Sequence, residues 1–226
     1  MNLIDAQRRV IEGVINAFET SSAEGDYAKI AIFADGPNDI RQITYGRSQT
    51  TEYGNLRRLV KAYVNAGGTF SQDLAPYADL VGSTPLTDNV EFKRLLRKAG
   101  REDPVMRQTQ DRFFEDVYFK PAMRWADQHG LTLPLSALVI YDSFIHSGSI
   151  LWLIRNMFPE NPPSAGGDEK AWVSAYVKAR HRWLSTHHRA VVRATVYRTK
   201  CLKKEIQRGN WDLSVVPVNA NGVQVS

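Results

Sequence analysis

Residues 10–46, VIEGVINAFETSSAEGDYAKIAIFADGPNDIRQITYG, contain the transition that decides the fold of this chain. Before Glu19, apolar residues recur at the three- and four-residue spacing of an amphipathic helix, which predicts one buried stripe. The members of the stripe are Leu3, Ile4, Val10, Ile11, Val14, Ile15 and Phe18. After it, two β-rich segments, 28–34 and 40–45, flank Asp-Gly-Pro-Asn-Asp, and that composition predicts a hairpin turn. We therefore expect a long helix followed directly by a β-hairpin.

Glu19 falls at or near the end of the predicted helix, where two effects disfavour its charged form. The helix dipole is negative at this end, and the neighbouring Phe18 indicates partial burial. We therefore expect a raised pKa, as a general acid needs near neutral pH. A hairpin packed beside the helix end would bring Asp35 or Asp39 across a cleft from Glu19. Two carboxylates that face each other across a groove are typical of a glycosidase.

These residues resemble the chitosanase-like branch of the lysozyme superfamily, glycoside hydrolase family 46. In that family a catalytic Glu ends the first long helix, and a hairpin of the form Asp-Gly-Arg-Gly-Tyr-Thr-Ala-Gly supplies an Asp base and a Thr that positions water. Arg-Gln-Ile-Thr-Tyr-Gly at 41–46 is similar to the second half of that motif. The resemblance implies that Glu19 is the acid and that Thr44 positions the water. Asp35 preserves the Asp-Gly pair and is the preferred base; Asp39 preserves the distance to Thr44 and is the alternative.

Three later segments are similar to further motifs of the family and extend the resemblance over nearly the whole chain. They are YDSFIHSG (141–148), AYVKAR (175–180) and GNWDL (209–213). The resemblance implies that Asp142 and Arg180, together with Arg193, form an ion-pair network that supports Glu19. Position relative to the hairpin motif gives a set of candidate sugar-binding residues. These are Tyr45, Ser48, Gln49, Asn55 and His146.

The expected fold class is α+β and mainly α-helical, a lysozyme-like bilobal fold with a small β-hairpin or sheet beside the active-site cleft. One glycoside hydrolase domain of two lobes is expected over residues 1–226, with a Pro- and Gly-rich loop at 159–167. Asp103-Pro104 predicts a helix start, and Pro121 should kink or end that helix before Trp125. Residues 131–145 predict a buried central helix.

Charge is the main indication of the substrate. The formal net charge is +5, and residues 178–208 contain ten Lys or Arg against one acid, Glu205. Chitosan is a polycation, whereas peptidoglycan and its associated polymers are anionic, so a basic surface favours encounter with the cell wall. Where chitosanases carry an Asp that holds the substrate amine, this chain has Asn55. We therefore expect an endo-acting, inverting muramidase (lysozyme) that cleaves β-1,4 bonds of peptidoglycan, with a chitosanase as the alternative.

Two non-enzymatic alternatives are open. The basic C-terminal helices fit a nucleic-acid-binding module in which Trp172, Trp183 and Tyr197 stack on bases. These aromatics recur beside apolar residues at helical spacing, which favours core packing and argues against nucleic acid as a partner. A cell-wall-binding domain that has lost catalysis is the second alternative, and the presence of Glu19, Asp35 and Thr44 argues against it.

The expected chemistry requires no cofactor. No metal site is expected, because His146 has no second His or Cys at ligand spacing, and the adjacent His187 and His188 point to different faces. The single cysteine, Cys201, excludes an internal disulfide framework. Neither a signal peptide nor a membrane span is recognisable. We expect a monomer. Because no signal peptide is recognisable, the chain is expected to be part of a longer protein, to be released by lysis, or to reach the periplasm or cell wall through a secretion apparatus. In the last case it would be an antibacterial, bacteriolytic effector, with an immunity protein as a further partner.

Overall fold

The structure, a computed structural model, describes residues 1–47 and 49–226. It is mostly helical (58%) with a small antiparallel sheet, which confirms the expected fold class. The chain forms two compact units. The first unit consists of Met1–Ala23 and Asp116–Ser226, and the second unit is Glu24–Glu115.

Helices and strands are numbered in chain order. The helices are α1 (Asp5–Thr20), α2 (Leu56–Asn65), α3 (Ser71–Leu74), α4 (Val90–Glu102), α5 (Pro104–Phe114), α6 (Lys120–Gln128), α7 (Pro134–Ser147), α8 (Trp152–Arg155), α9 (Glu169–Thr186), α10 (Ala190–Arg193) and α11 (Tyr197–Gln207). The strands are β1 (Ile30–Ala34), β2 (Arg41–Tyr45), β3 (Thr50–Thr51), β4 (Val218–Ala220) and β5 (Val223–Val225).

Helix α1 forms where the apolar stripe predicts it. Its stripe is buried from Val10 to Phe18, whereas Ile4 is 65% exposed and precedes the helix. The helix ends at Ser21, which takes a left-handed conformation with φ +61° and donates its N–H to the carbonyl oxygen of Ala17. Glu19 therefore lies in the last turn of α1, as the sequence predicts.

The predicted hairpin is formed by β1 and β2 in the second unit. The two strands are antiparallel, with Phe33 opposite Gln42 and Ala31 opposite Thr44, and β3 pairs with the other edge of β2. The connection contains a short 3-10 turn, Pro37–Asp39, whose last residue has φ +57°. Asp tolerates this left-handed conformation better than most residues. Asp39 is thereby exposed in the turn.

The helix starts at 90 and 104 follow from side-chain caps. Asn89 accepts a hydrogen bond from the N–H of Phe92 at 2.9 Å, and Asp103 accepts one from the N–H of Val105 at 2.8 Å. Both interactions satisfy backbone donors that a helix leaves unpaired in its first turn. The predicted Asp103-Pro104 start is thereby confirmed.

Pro121 does not end a helix before Trp125. Helix α5 stops at Phe114, a π turn follows at Glu115–Phe119, and Pro121 occupies the first turn of α6. The π turn directly before Pro121 departs from the regular α-helical hydrogen-bond pattern next to a residue that cannot donate an N–H. Helix α6 then continues through Trp125 to Gln128.

Helix α7 is the buried helix that the sequence predicts. All ten residues from Pro134 to Ser143 are buried, including the polar Asp142 and Ser143. Among residues 1–47 and 49–226, no helix combines the length and hydropathy needed to cross a membrane.

Candidate active site

Glu19 is held in the first unit by the beginning of α11. Its Oε1 atom accepts a hydrogen bond from Nη2 of Arg198, and its side chain is 10% exposed. The preceding residues of the two helices are also in contact: Tyr197 packs edge-on against the ring of Phe18 and donates its hydroxyl to the carbonyl oxygen of Phe18 at 2.9 Å. The last turn of α1 is thereby fixed to α11, and Glu19 with it.

Arg198 links Glu19 to a second buried carboxylate. Its Nη1 atom lies 2.6 Å from Oδ1 of Asp142, whose Oδ2 lies 2.5 Å from Nη1 of Arg180. Arg180, Arg198 and Asp142 have side-chain exposures of 1%, 5% and 0%. Positive and negative charges alternate along the series of four residues and cancel, which is the condition under which buried charges are tolerated.

The electrostatics of the network keep Asp142 charged. Burial alone would raise the pKa of Asp142, but the positive charges of Arg180 and Arg198 lower it to about 2. Burial also acts against the charge of Arg198, yet Glu19 and Asp142 outweigh it and raise its pKa. At neutral pH both members of this pair are therefore ionised.

His146 stands beside this network at the end of α7. Burial, together with the positive charges of Arg198 and Arg180, lowers the pKa of His146 to about 3. Its imidazole is therefore neutral at neutral pH, and its Nδ1 lies 3.2 Å from the hydroxyl of Ser147. A neutral imidazole has one donor and one acceptor nitrogen, which suits contacts with sugar hydroxyls.

The structure corrects the expected composition of the network. Asp142 and Arg180 lie in it, but Arg193 does not, because its Nη1 donates to the carbonyl oxygens of His187 and His188 at 2.7 Å each. Arg198, which sequence reasoning missed, occupies the position expected for Arg193. A signal for it exists in the sequence: Arg198 shares a helix face with the apolar Cys201 and Leu202, and a charge on an apolar face indicates a buried ion pair.

In the second unit, Asp35 follows β1 directly and is oriented by β2. Its Oδ1 atom accepts a hydrogen bond from Nε2 of Gln42 at 2.9 Å. Gln42 is itself buried, and sequence reasoning missed it because a Gln in a strand carries no distinctive pattern. Asp39, the alternative base, is exposed in the turn, so the structure joins Asp35, and not Asp39, to Gln42.

Thr44 lies on the same face of β2 as Gln42, since side chains two residues apart on a strand point the same way. Its hydroxyl lies 2.8 Å from Oε1 of Gln49, and Nε2 of Gln49 donates to the carbonyl oxygen of Gly46 at 2.9 Å. The Thr44 side chain is thus held in one orientation. Asp35 and Thr44 are the two ends of a polar row along this face.

The candidate sugar-binding residues differ in how accessible they are. Tyr45 is fully buried and donates its hydroxyl to the carbonyl oxygen of Leu96 at 2.7 Å, so the prediction that it contacts sugar is wrong. Gln49 and Asn55 are partly exposed, and Asn55 precedes α2 and accepts a hydrogen bond from Arg58. Ser48 lies outside the described residues.

Within the part of the chain that the structure describes, no three His, Cys, Asp or Glu side chains cluster closely enough to hold a metal ion. The chemistry available from the residues above is that of carboxylates, a hydroxyl and a neutral imidazole, which suits hydrolysis by acid–base catalysis.

Chitosanases are among the solved structures with a similar fold. A chitosanase of Gynuella sunshinyii in complex with chitotetraose matches with a TM-score of 0.84 at 23% identity, covering 99% of this chain and 98% of that one. A mutant chitosanase of Bacillus subtilis MY002, complexed with 6 GlcN, matches with a TM-score of 0.84 at 22% identity over the whole of both chains. At this level of identity the likeness establishes the lysozyme-like fold.

Sequence comparison identifies the family. A chitosanase of Bacillus subtilis (strain 168) is 27% identical over an alignment of 224 residues that covers 92% of this chain and 79% of that relative. The model of glycosyl hydrolase family 46 matches residues 13–217, and this stretch includes Glu19, Asp35, Thr44 and the buried network. The chain therefore belongs to glycosyl hydrolase family 46 and is a glycoside hydrolase.

Proposed function

We propose that this protein is a chitosanase that cleaves β-1,4 bonds within chitosan. The observation that carries the proposal is the match to family 46 over residues 13–217, together with a relative named as a chitosanase. Structures of similar fold carry chitotetraose or 6 GlcN, which supports the same class of polymer as the substrate. The comparisons favour this alternative over the peptidoglycan substrate expected from the sequence.

The charge argument for peptidoglycan loses its force when the two units are considered separately. Residues 24–115 carry 13 acidic and 13 basic side chains, so the net charge of +5 belongs entirely to residues 1–23 and 116–226. Two of those basic residues, Arg180 and Arg198, are buried in the network and do not contribute to an exposed basic surface. The hairpin that carries Asp35 belongs to the electrically neutral second unit.

In the proposed mechanism Glu19 protonates the glycosidic oxygen. Arg198 engages Oε1 of Glu19 and holds the carboxyl group in place for that transfer. Asp35 accepts a proton from a water that Thr44 helps to orient, and this water attacks the anomeric carbon from the opposite face. Direct attack by water gives inversion at that carbon.

A matched pair of glutamate variants tests the proposal. Glu19→Gln should abolish release of glucosamine oligomers from chitosan, because an amide is far too weak an acid to protonate the leaving oxygen, while Glu12→Gln on the same helix should keep wild-type activity. Mass spectrometry of the products, with intact peptidoglycan digested in parallel, checks both substrates. If the wild type released muropeptides from peptidoglycan but no oligomers from chitosan, the protein would be a muramidase and not a chitosanase. If it released no product from either polymer, a non-catalytic binding protein would be favoured.

A further inference from the structure

Gln42 occupies an unusual position for a polar side chain. It lies in the middle of β2, is 5% exposed, and uses both ends of its amide. Its Oε1 atom accepts a hydrogen bond from the backbone N–H of Tyr53 at 3.2 Å, and its Nε2 atom donates to Oδ1 of Asp35 at 2.9 Å. The side chain therefore bridges the segment after β3 to the carboxylate after β1.

The orientation of the Gln42 amide follows from the chemistry of its neighbours. A backbone N–H can only donate, so the oxygen of the amide must face Tyr53. The NH₂ group must then face Asp35, where a carboxylate can only accept. A flipped amide would lose both hydrogen bonds, and each buried group left unpaired would destabilise the fold. Gln42 is thus fixed as a donor to Asp35.

The backbone that carries Gln42 is fixed as well. Glu52 donates its N–H to the carbonyl oxygen of Ile43 at 2.8 Å and accepts the N–H of Ile43 through its carboxylate at 3.0 Å. Ile43 lies between Gln42 and Thr44, so this double contact sets both side chains on the polar face of β2. Glu52 is 1% exposed and also accepts the N–H of Leu86, which ties the strand to the loop before α4.

We propose that Gln42 is the positioning residue for Asp35, an inference that rests on the proposed role of Asp35 as the base. Gln42 occupies Oδ1 and holds the carboxylate plane, so Oδ2 takes the proton of the attacking water. Among the residues that the structure describes, Oδ2 has no hydrogen-bond donor.

Gln42→Glu separates this role from a purely structural one. The new side chain keeps an oxygen for the N–H of Tyr53 but presents an oxygen, in place of a donor, to Asp35. The kcat for a glucosamine hexamer should fall about 10- to 100-fold, as a misplaced catalytic group causes, while KM stays within about twofold. Gln42→Met, which removes both hydrogen bonds, should lower kcat by a similar factor and is measured in case the Glu variant does not fold.

Gln110 provides a matched control in the same unit. It is 1% exposed, accepts the N–H of Arg47 through Oε1 and donates to the carbonyl oxygen of Tyr27 through Nε2, at 2.9 Å each. Gln110→Glu and Gln110→Met make the same chemical changes without touching Asp35 or Thr44, so their kcat should match the wild type. A kcat loss equal to that of the Gln42 variants would reduce Gln42 to a stabilising residue and overturn the proposal.

Asp35→Asn distinguishes failure of this inference from failure of the proposed function. Wild-type kcat in Asp35→Asn would remove Asp35 as the base, and the role of Gln42 with it. Loss of activity in Asp35→Asn with wild-type kcat in Gln42→Glu would overturn only the positioning role. If Asp35 is the base and Gln42 positions it, adding Gln42→Glu to Asp35→Asn should cause no further loss of kcat, because the two changes act on one group.

Discussion

Nη1 of Arg198 lies 2.6 Å from Oδ1 of Asp142, and the two side chains are 5% and 0% exposed. Arg198 also binds Glu19, so one guanidinium serves two carboxylates. Removing one member of such a buried pair leaves its partner charged and without compensation, which costs more than the intact pair contributes. The proposed acid thus depends on a charge whose own position is set by Asp142.

Arg198→Met should therefore lower both stability and activity. Loss of a partner from a buried pair costs about 3–5 kcal/mol of unfolding free energy, and Glu19 loses the contact that orients it. Arg193→Met is the control, because Arg193 is exposed and binds only carbonyl oxygens of the preceding loop. Its effect should stay within about 1 kcal/mol. Guanidinium denaturation checks this, and equal losses in the two variants would contradict it.

His146 predicts a pH dependence of stability. Its folded pKa of about 3 lies below the value of about 6.5 in an unfolded chain, so its contribution is complete above pH 6.5 and is lost as the pH falls toward 3. The unfolding free energy should fall by up to about 1.4 kcal/mol per pH unit from this group between pH 6 and 4. His146→Gln should lack that part of the slope. Urea denaturation at stepped pH checks this; parallel curves would show that His146 titrates alike in both states.

The two candidate bases predict different outcomes. Asp35→Asn should lower kcat about 100-fold or more, since general-base catalysis contributes that much. Asp39→Asn should leave kcat unchanged, because Asn also tolerates the left-handed conformation at this exposed turn. Initial rates on soluble chitosan decide between them. Equal, mild losses would mean that neither carboxylate is the base.

Thr44 should affect turnover more than binding. Thr44→Val removes the hydroxyl that would orient water but keeps the branched shape, so kcat should fall at least about tenfold with KM nearly unchanged. Thr50→Val is the matched control in β3, where the hydroxyl donates to the carbonyl oxygen of Tyr45. Steady-state kinetics on a glucosamine hexamer check this. An unchanged kcat in Thr44→Val would remove the water-positioning role.

The stereochemical outcome tests the single-displacement mechanism. Water activated by Asp35 should release the α-anomer first from a β-1,4 bond, because one displacement inverts the anomeric carbon. Proton NMR within the first minutes of hydrolysis, before mutarotation, records the anomeric ratio. Initial release of the β-anomer would contradict this mechanism and would indicate a retaining enzyme in which Asp35 acts as a nucleophile and not as a base.

Features that depend on local spacing could be predicted from the sequence. The stripe from Val10 to Phe18 and the Asp103-Pro104 start each depend on a few neighbouring residues, and the structure contains both. The burial of Tyr45 could not be predicted. Strand β2 is buried on both faces from Gln42 to Tyr45, so the alternation of apolar and polar residues does not show which side chains face the core. Resemblance to the family added Asp142 and Arg180 as partners, which no local pattern identifies.

Contacts between residues far apart in the sequence could not be predicted in this way. Arg193 and Arg198 are both plausible partners by sequence, and only the packing of α11 selects Arg198, which is 179 positions from Glu19. The expectation of a peptidoglycan substrate has a related weakness. Net charge sums over the whole chain, whereas the hairpin with Asp35 lies in a unit with no net charge.

The first unit is assembled from both ends of the chain, with consequences for synthesis. Residues 24–115 are contiguous and can fold as soon as they leave the ribosome, since domains generally fold as units from the N-terminus. Glu19 is made before them, yet its partner Arg198 lies 179 positions further along the chain and is translated after all of them. A nascent chain therefore carries the hairpin long before Arg198 is available to bind Glu19, and the contact that holds Glu19 forms late in synthesis.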